Sequence, residues 1–250
     1  MREWLTLTRR ELGGYFLSMT GYIILAGTSL LMGMSFVLLL VKLRHEPTPV
    51  PVTEIFYISP FFWIILLLST PVITMRLFAL EKFSGTFETL MTAPVSDLQV
   101  VLAKFTAAMI FYMIMWLPLA GCLWIVGHFA HEPAAFDPGV VGSTYLGIFF
   151  LGGLFISLGT FASSLTRSQV VAVMMSLGFG ASIFLLGVLA DQFPARNEWQ
   201  SQVLASVAIF QQMHDFARGI VDTRAIVLFG SVTLFFLFLT LRIVESRRWK

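Results

Sequence analysis

The sequence predicts an all-α integral membrane protein, with six transmembrane helices preceded by a short amphipathic helix. Three observations carry this. Of its 250 residues 57% are hydrophobic and only 12% charged, where soluble domains carry about 25% charged residues, and the mean hydropathy is +0.85. The charges lie in clusters separated by charge-free tracts at 12–41, 55–75, 105–127, 138–166, 168–190 and 225–241. Each tract is long enough, or nearly so, to cross about 30 Å of hydrocarbon at 1.5 Å per residue. Finally, the tracts are apolar on every face, unlike the short alternating strands of a membrane barrel, so only helices remain as spanning elements.

In residues 1–14, Trp4, Leu5, Leu7 and Leu12 alternate with Arg2, Arg9, Arg10 and Glu11, a pattern suited to the headgroup layer. Gly13 and Gly14 are expected to turn the chain into the membrane. The first tract is too long for a signal peptide and reads as a retained span. The connector after it carries Pro47, Pro49 and Pro51, which favour an extended path. Pro71 in span two and Pro118 in span three each remove a backbone donor and are expected to kink their helices. Between those spans, segment 76–104 is far longer than a turn requires. In it Ser84 is expected to cap a short helix containing Phe87, Glu88, Leu90 and Met91, which Pro94 ends.

Spans four and five meet at a short turn near Arg167. Span five carries Ala172, Ser176 and Gly180 at intervals of four, a stripe that permits close helix packing. In segment 191–222, Trp199, Val203, Val207, Phe210, Met213, Ala217 and Ile220 recur at steps of three and four, as in an amphipathic helix half-buried at the outer surface. Arg218-Gly219 reads as its stop, and Asp222-Thr223 as the cap of span six. The closing ESRRWK is a basic aromatic anchor.

With six spans, 11 Lys and Arg fall on the side of the termini and 5 on the other. The positive-inside rule therefore puts both termini and the 76–104 loop in the cytoplasm. The single Cys122 excludes an intramolecular disulfide.

Several chemistries find no support. The sequence contains no G-x-x-x-x-G-K-[ST] phosphate-binding loop, and the serines within the spans have no His or carboxylate close in sequence to activate them. Span centres free of Asp, Glu, Lys and Arg disfavour an ion- or proton-coupled carrier. His128, His131 and Glu132 read as a solvated polar turn rather than a metal site. Met109, Met113 and Met115 read as packing. No metal is expected.

Three stretches then carry a resemblance that covers nearly the whole chain: RRELGGYFLSMTGYI, EKFSGTFETLMTAPVS and MHDFARGIVDTRAIVLFGSVTLFFLFLTLRIVESRRW. They resemble the permease subunits of ABC-2 type ATP-binding cassette transporters, and more closely the branch related to gliding-motility exporters. The resemblance implies one transmembrane domain over 1–250 with a type V exporter-like permease fold, in a bacterial plasma (inner) membrane. It also implies a chain that is not itself an enzyme and holds no cofactor, ATP and Mg being bound by a separate ATPase subunit. A second permease subunit and membrane lipids are the other implied partners, and nucleic acid is not. Glu81, Gly85, Thr86, Glu88, Leu90, Pro94 and Ser96 match the family's coupling helix, which inserts into the ATPase, and Phe83 and Phe87 add apolar contact groups there. The stripe of Ala172, Ser176 and Gly180 is expected to pack one permease against the other. The alternatives are an ion- or proton-coupled secondary carrier and a non-transporting assembly or mechanotransmission component.

Overall fold

The computed structural model describes residues 2–45, 52–87, 95–129, 137–192 and 208–248. Among these residues the regular structure is entirely helical. In chain order the helices are α1 (Arg2–Phe16), α2 (Met19–His45), α3 (Val52–Ile58), α4 (Pro60–Thr74), α5 (Ala79–Ser84), α6 (Asp97–Met115), α7 (Leu117–Phe129), α8 (Pro138–Leu165), α9 (Gln169–Gln192), α10 (Ile209–Ala217) and α11 (Thr223–Arg248). Six helical stretches are long and apolar enough to span: Met19–Lys42, Pro60–Ser84, Asp97–His128, Pro138–Leu165, Gln169–Ala190 and Thr223–Ser246.

Span four, α8, is the axis of the bundle. It is 78% buried along its apolar window, against 22% for span five and 17% for span six, and spans two, three, five and six all pack on it. Its glycines explain how. A Cβ on Gly152 would lie 2.1 Å from Tyr112 Cε1, and one on Gly159 would lie 2.1 Å from Thr74 Oγ1. Only bare backbone lets spans three and two come so close. Hydroxyls on the same helix fold back onto it, Thr160 donating to the Ile156 carbonyl at 2.6 Å and Ser157 to that of Leu154 at 2.7 Å. Polar side chains are thereby satisfied inside an apolar bundle.

Two expectations are corrected here. α1 runs straight through Gly13 and Gly14, and the turn falls at Leu17–Ser18. Neither glycine has a positive φ, whereas the Ser18 hydroxyl accepts the Gly21 N–H at 3.3 Å and so starts α2. Pro47, Pro49 and Pro51 lie outside the described residues, and helix resumes at Val52. α4 continues across Pro71, with the Thr70 hydroxyl donating to the Leu66 carbonyl at 2.8 Å. The helix does divide at Pro118: α6 ends at Met115, and the Trp116 carbonyl accepts the Tyr145 hydroxyl at 2.8 Å. The second correction concerns span five. Ala172, Ser176 and Gly180 are all buried, and a Cβ on Gly180 would lie 3.1 Å from Phe155 Cε1 and 3.4 Å from Leu67 Cδ2. Ser176 Oγ sits 2.9 Å from the Cβ position of Gly159. The stripe faces inward against spans two and four of its own chain, so a second permease would meet other residues.

At the end of the bundle away from α1, the short helices α3 and α10 pack together. Thr53 Oγ1 donates to the Ala217 carbonyl at 2.9 Å, and Ser143 Oγ to that of Phe216 at 2.7 Å. The buried Glu54 carboxylate holds His214 Nε2 and Arg218 Nη2, each at 2.7 Å. This hydrogen-bonded carboxylate raises the Arg218 guanidinium above the usual arginine range. Gly219, at φ 91°, ends α10, and Asp222 Oδ1 accepts the Arg224 N–H at 2.9 Å to start α11. The expected amphipathic helix is thus present over Ile209–Ala217, with Met213 and Phe216 fully buried on its inner face and Gln211 exposed on the other. Trp199, Val203 and Val207 lie outside the described residues.

Candidate functional site: an ionic junction at the α1 end

The final turns of span two are built on a borrowed cap. α5 begins at Ala79, and its own N-cap residue, Phe78, offers no side-chain acceptor. Ser163 of span four supplies one: the Phe78 and Ala79 N–H groups both donate to its Oγ at 3.1 Å, and Ser163 in turn donates to the Met75 carbonyl at 3.2 Å. Two otherwise orphaned helix-start donors are thereby satisfied. One turn on, Lys82 donates to the Ser164 carbonyl and lies 5.4 Å from the Phe87 ring centroid. Gly85, at φ 75°, ends α5 in the left-handed region that favours glycine.

α5 is then tied to α1 and to span three by charge. Lys104, on α6 and 2% exposed, bridges Glu81 at 2.8 Å and Glu11 at 3.0 Å. Arg10 reaches the same Glu81 oxygen at 3.5 Å. Lys104 also lies 5.4 Å from the Phe78 ring centroid. One buried cation between two carboxylates fixes three helices in register, and each partner is costly to lose. The start of α6 is fixed separately by a reciprocal cap: the Gln99 N–H donates to Ser96 Oγ at 3.3 Å and the Ser96 N–H to Gln99 Oε1 at 3.1 Å.

The structure sorts the sequence-predicted residues by role. Glu81 is buried inside the ion network, Phe87 is buried against Phe78, Ser96 is a helix cap and Gly85 a helix stop. Thr86 is exposed, its hydroxyl 2.8 Å from that of Ser84. Phe83 is 77% exposed. Glu88, Leu90 and Pro94 lie outside the described residues, as does most of the helix expected there. Ser84 is the last residue of α5, and its hydroxyl meets the Glu81 carbonyl at 3.3 Å.

Sequence reasoning missed Lys104, Glu11, Arg10 and Ser163 as parts of this site. One signal was available: a lysine two turns into an apolar helix demands a carboxylate. At the other end His128 stacks on Trp124, while His131 and Glu132 lie outside the described residues.

A bundle wound on one glycine-rich span, with an ion-bonded helical junction at one end, defines a multi-pass membrane subunit whose specialised surface is that junction. The chain belongs to the ABC-2 transporter family: the family model described as ABC-2 family transporter protein matches residues 41–242. That family supplies the membrane domain of ABC transporters. The match stands at the level of the family and gives the gliding-motility-related branch no support. A search of the curated proteins finds no match.

Proposed function

We propose that this chain is the permease subunit of an ATP-driven exporter in a bacterial plasma membrane. In this reading both termini and the junction lie in the cytoplasm, a second permease subunit completes the pathway, and a separate ATPase subunit binds ATP and Mg. The excess of Lys and Arg on the side of the termini supports the orientation. The lack of a phosphate-binding loop in the sequence supports the reading that a separate subunit carries out hydrolysis.

One observation carries the ATPase contact. Phe83 is 77% exposed on α5, while the neighbouring Glu81 is locked to Lys104 at 2.8 Å. An aromatic ring held outward on a rigidly anchored helix is what an apolar pocket on a partner needs. The contact then reads as an apolar anchor on an ionic base, with Thr86 and the residues up to Ser96 around it.

The test is Phe83→Ala in the full complex. Loss of a central aromatic anchor weakens association by about tenfold or more, read as ATPase recovered with the tagged permease, while yield and unfolding temperature of the permease stay unchanged. Unchanged recovery together with unchanged ATP-dependent transport would refute the contact.

A further inference from the structure

The geometry points to a phosphate-binding pocket between α1 and the α5 junction, filled by the headgroup of an anionic phospholipid. A cavity of about 260 Å³ opens there. Its charged walls are Arg10, Arg76 and Lys104 against Glu11 and Glu81, so one positive charge is in excess. The ion pairs show where the excess sits. Lys104 is fully occupied, at 3.0 Å from Glu11 and 2.8 Å from Glu81, and Arg10 shares Glu81 at 3.5 Å. Among the described residues Arg76 meets no carboxylate: it donates a hydrogen bond to the neutral Thr20 hydroxyl, and it is only half-buried.

A guanidinium beside a cavity with no anion of its own is the group that takes a phosphate in a forked geometry. Two further features favour a lipid as the source. The pocket is walled by α1, which leads directly into span one, so it lies at the level of the headgroups. Its floor is apolar, with Leu77 and Leu80 beside the ring of Tyr15. Gly14 also lines the pocket, and a Cβ there would meet nothing within 4 Å, so a larger side chain has room to enter the space.

The inference does not rest on an ATPase docking nearby, and it is tested on the full permease alone in neutral detergent. Phosphatidylglycerol, phosphatidylcholine and inorganic phosphate are added separately, with unfolding temperature and lipid retained in native mass spectrometry as readouts. Phosphatidylglycerol should raise the unfolding temperature and be retained. Arg76→Gln should lower retention about fivefold, the effect of one basic group near an anionic surface. Gly14→Leu, which enters that space without touching an ion pair, should do the same and covers the case in which Arg76→Gln folds poorly. Arg242→Gln, an exposed arginine paired with Glu245, should change nothing. An equal effect of inorganic phosphate that is lost in Arg76→Gln keeps the phosphate site and assigns it to a soluble anion. Retention unchanged in both Arg76→Gln and Gly14→Leu, or reduced as much by Arg242→Gln, overturns the pocket.

Discussion

The two ends of the bundle hold ionic junctions of opposite design. At the α1 end a single cation, Lys104, sits between two carboxylates. At the far end a single carboxylate, Glu54, sits between His214 and Arg218. The central group is buried in both, the Lys104 side chain 2% exposed and that of Glu54 4%. The flanking groups differ: Glu81 and Glu11 are 11% and 17% exposed, whereas His214 and Arg218 are 29% and 49%. A buried charge whose partners are themselves buried cannot be replaced by water, while one whose partners reach solvent can be partly relieved. The α1 junction is therefore the more rigid, and it joins helices leading into spans one, two and three. The far junction staples together two short surface helices.

The largest expected effect follows from removing the central cation. Lys104→Met leaves Glu11 and Glu81 without their buried cation, with only the exposed Arg10 near Glu81, and should cost about 3–5 kcal/mol, seen as a large fall in unfolding temperature. Replacing Glu81 by Gln in the same chain should recover part of it, and failure to recover would show that packing, not charge, holds the junction.

Glu54→Gln should lower the unfolding temperature by roughly half as much, because His214 and Arg218 both reach solvent when the carboxylate is lost. A fall equal to that of Lys104→Met would erase the distinction between the two ends. Smaller again is Ser163→Ala, which removes the borrowed cap of α5. The expected cost is about 1 kcal/mol, with faster hydrogen exchange at Phe78 and Ala79 and none at α10. Exchange that rises at both ends would mean that the two junctions are coupled through span four.

The spans were legible in the sequence because charge clustering is a local property, and so were the division at Pro118 and the stop at Gly219. The junctions were not. Arg10 and Glu81 are 71 residues apart, Lys104 and Glu11 93, and Arg218 and Glu54 164, and hydrophobic periodicity says nothing about which charge meets which. The same limit explains the stripe in span five. Ala172, Ser176 and Gly180 announced a close contact, and the structure supplies one, but the complementary glycine is Gly159 within the chain. Small residues signal how near a neighbour comes, not whose it is. The sequence singled out segment 76–104, yet the groups that hold it in place, Arg10 and Glu11 on α1 and Ser163 on span four, lie far from it in the chain.

The division of span three gives the bundle a mechanical ratio. From Lys104 to Met115 the helix extends about 16 Å at 1.5 Å per residue, and at Trp116 the ladder passes to shorter-range bonds, the Leu119 N–H reaching the Trp116 carbonyl at 3.1 Å. Each degree of tilt imposed on α6 at its ionic base displaces the break by about 0.3 Å. Because the ladder changes there, α7 need not follow as a rigid continuation. Span three is in effect a short crank with its fulcrum at Lys104 and its free end at mid-membrane, pinned to span four by the hydroxyl of Tyr145.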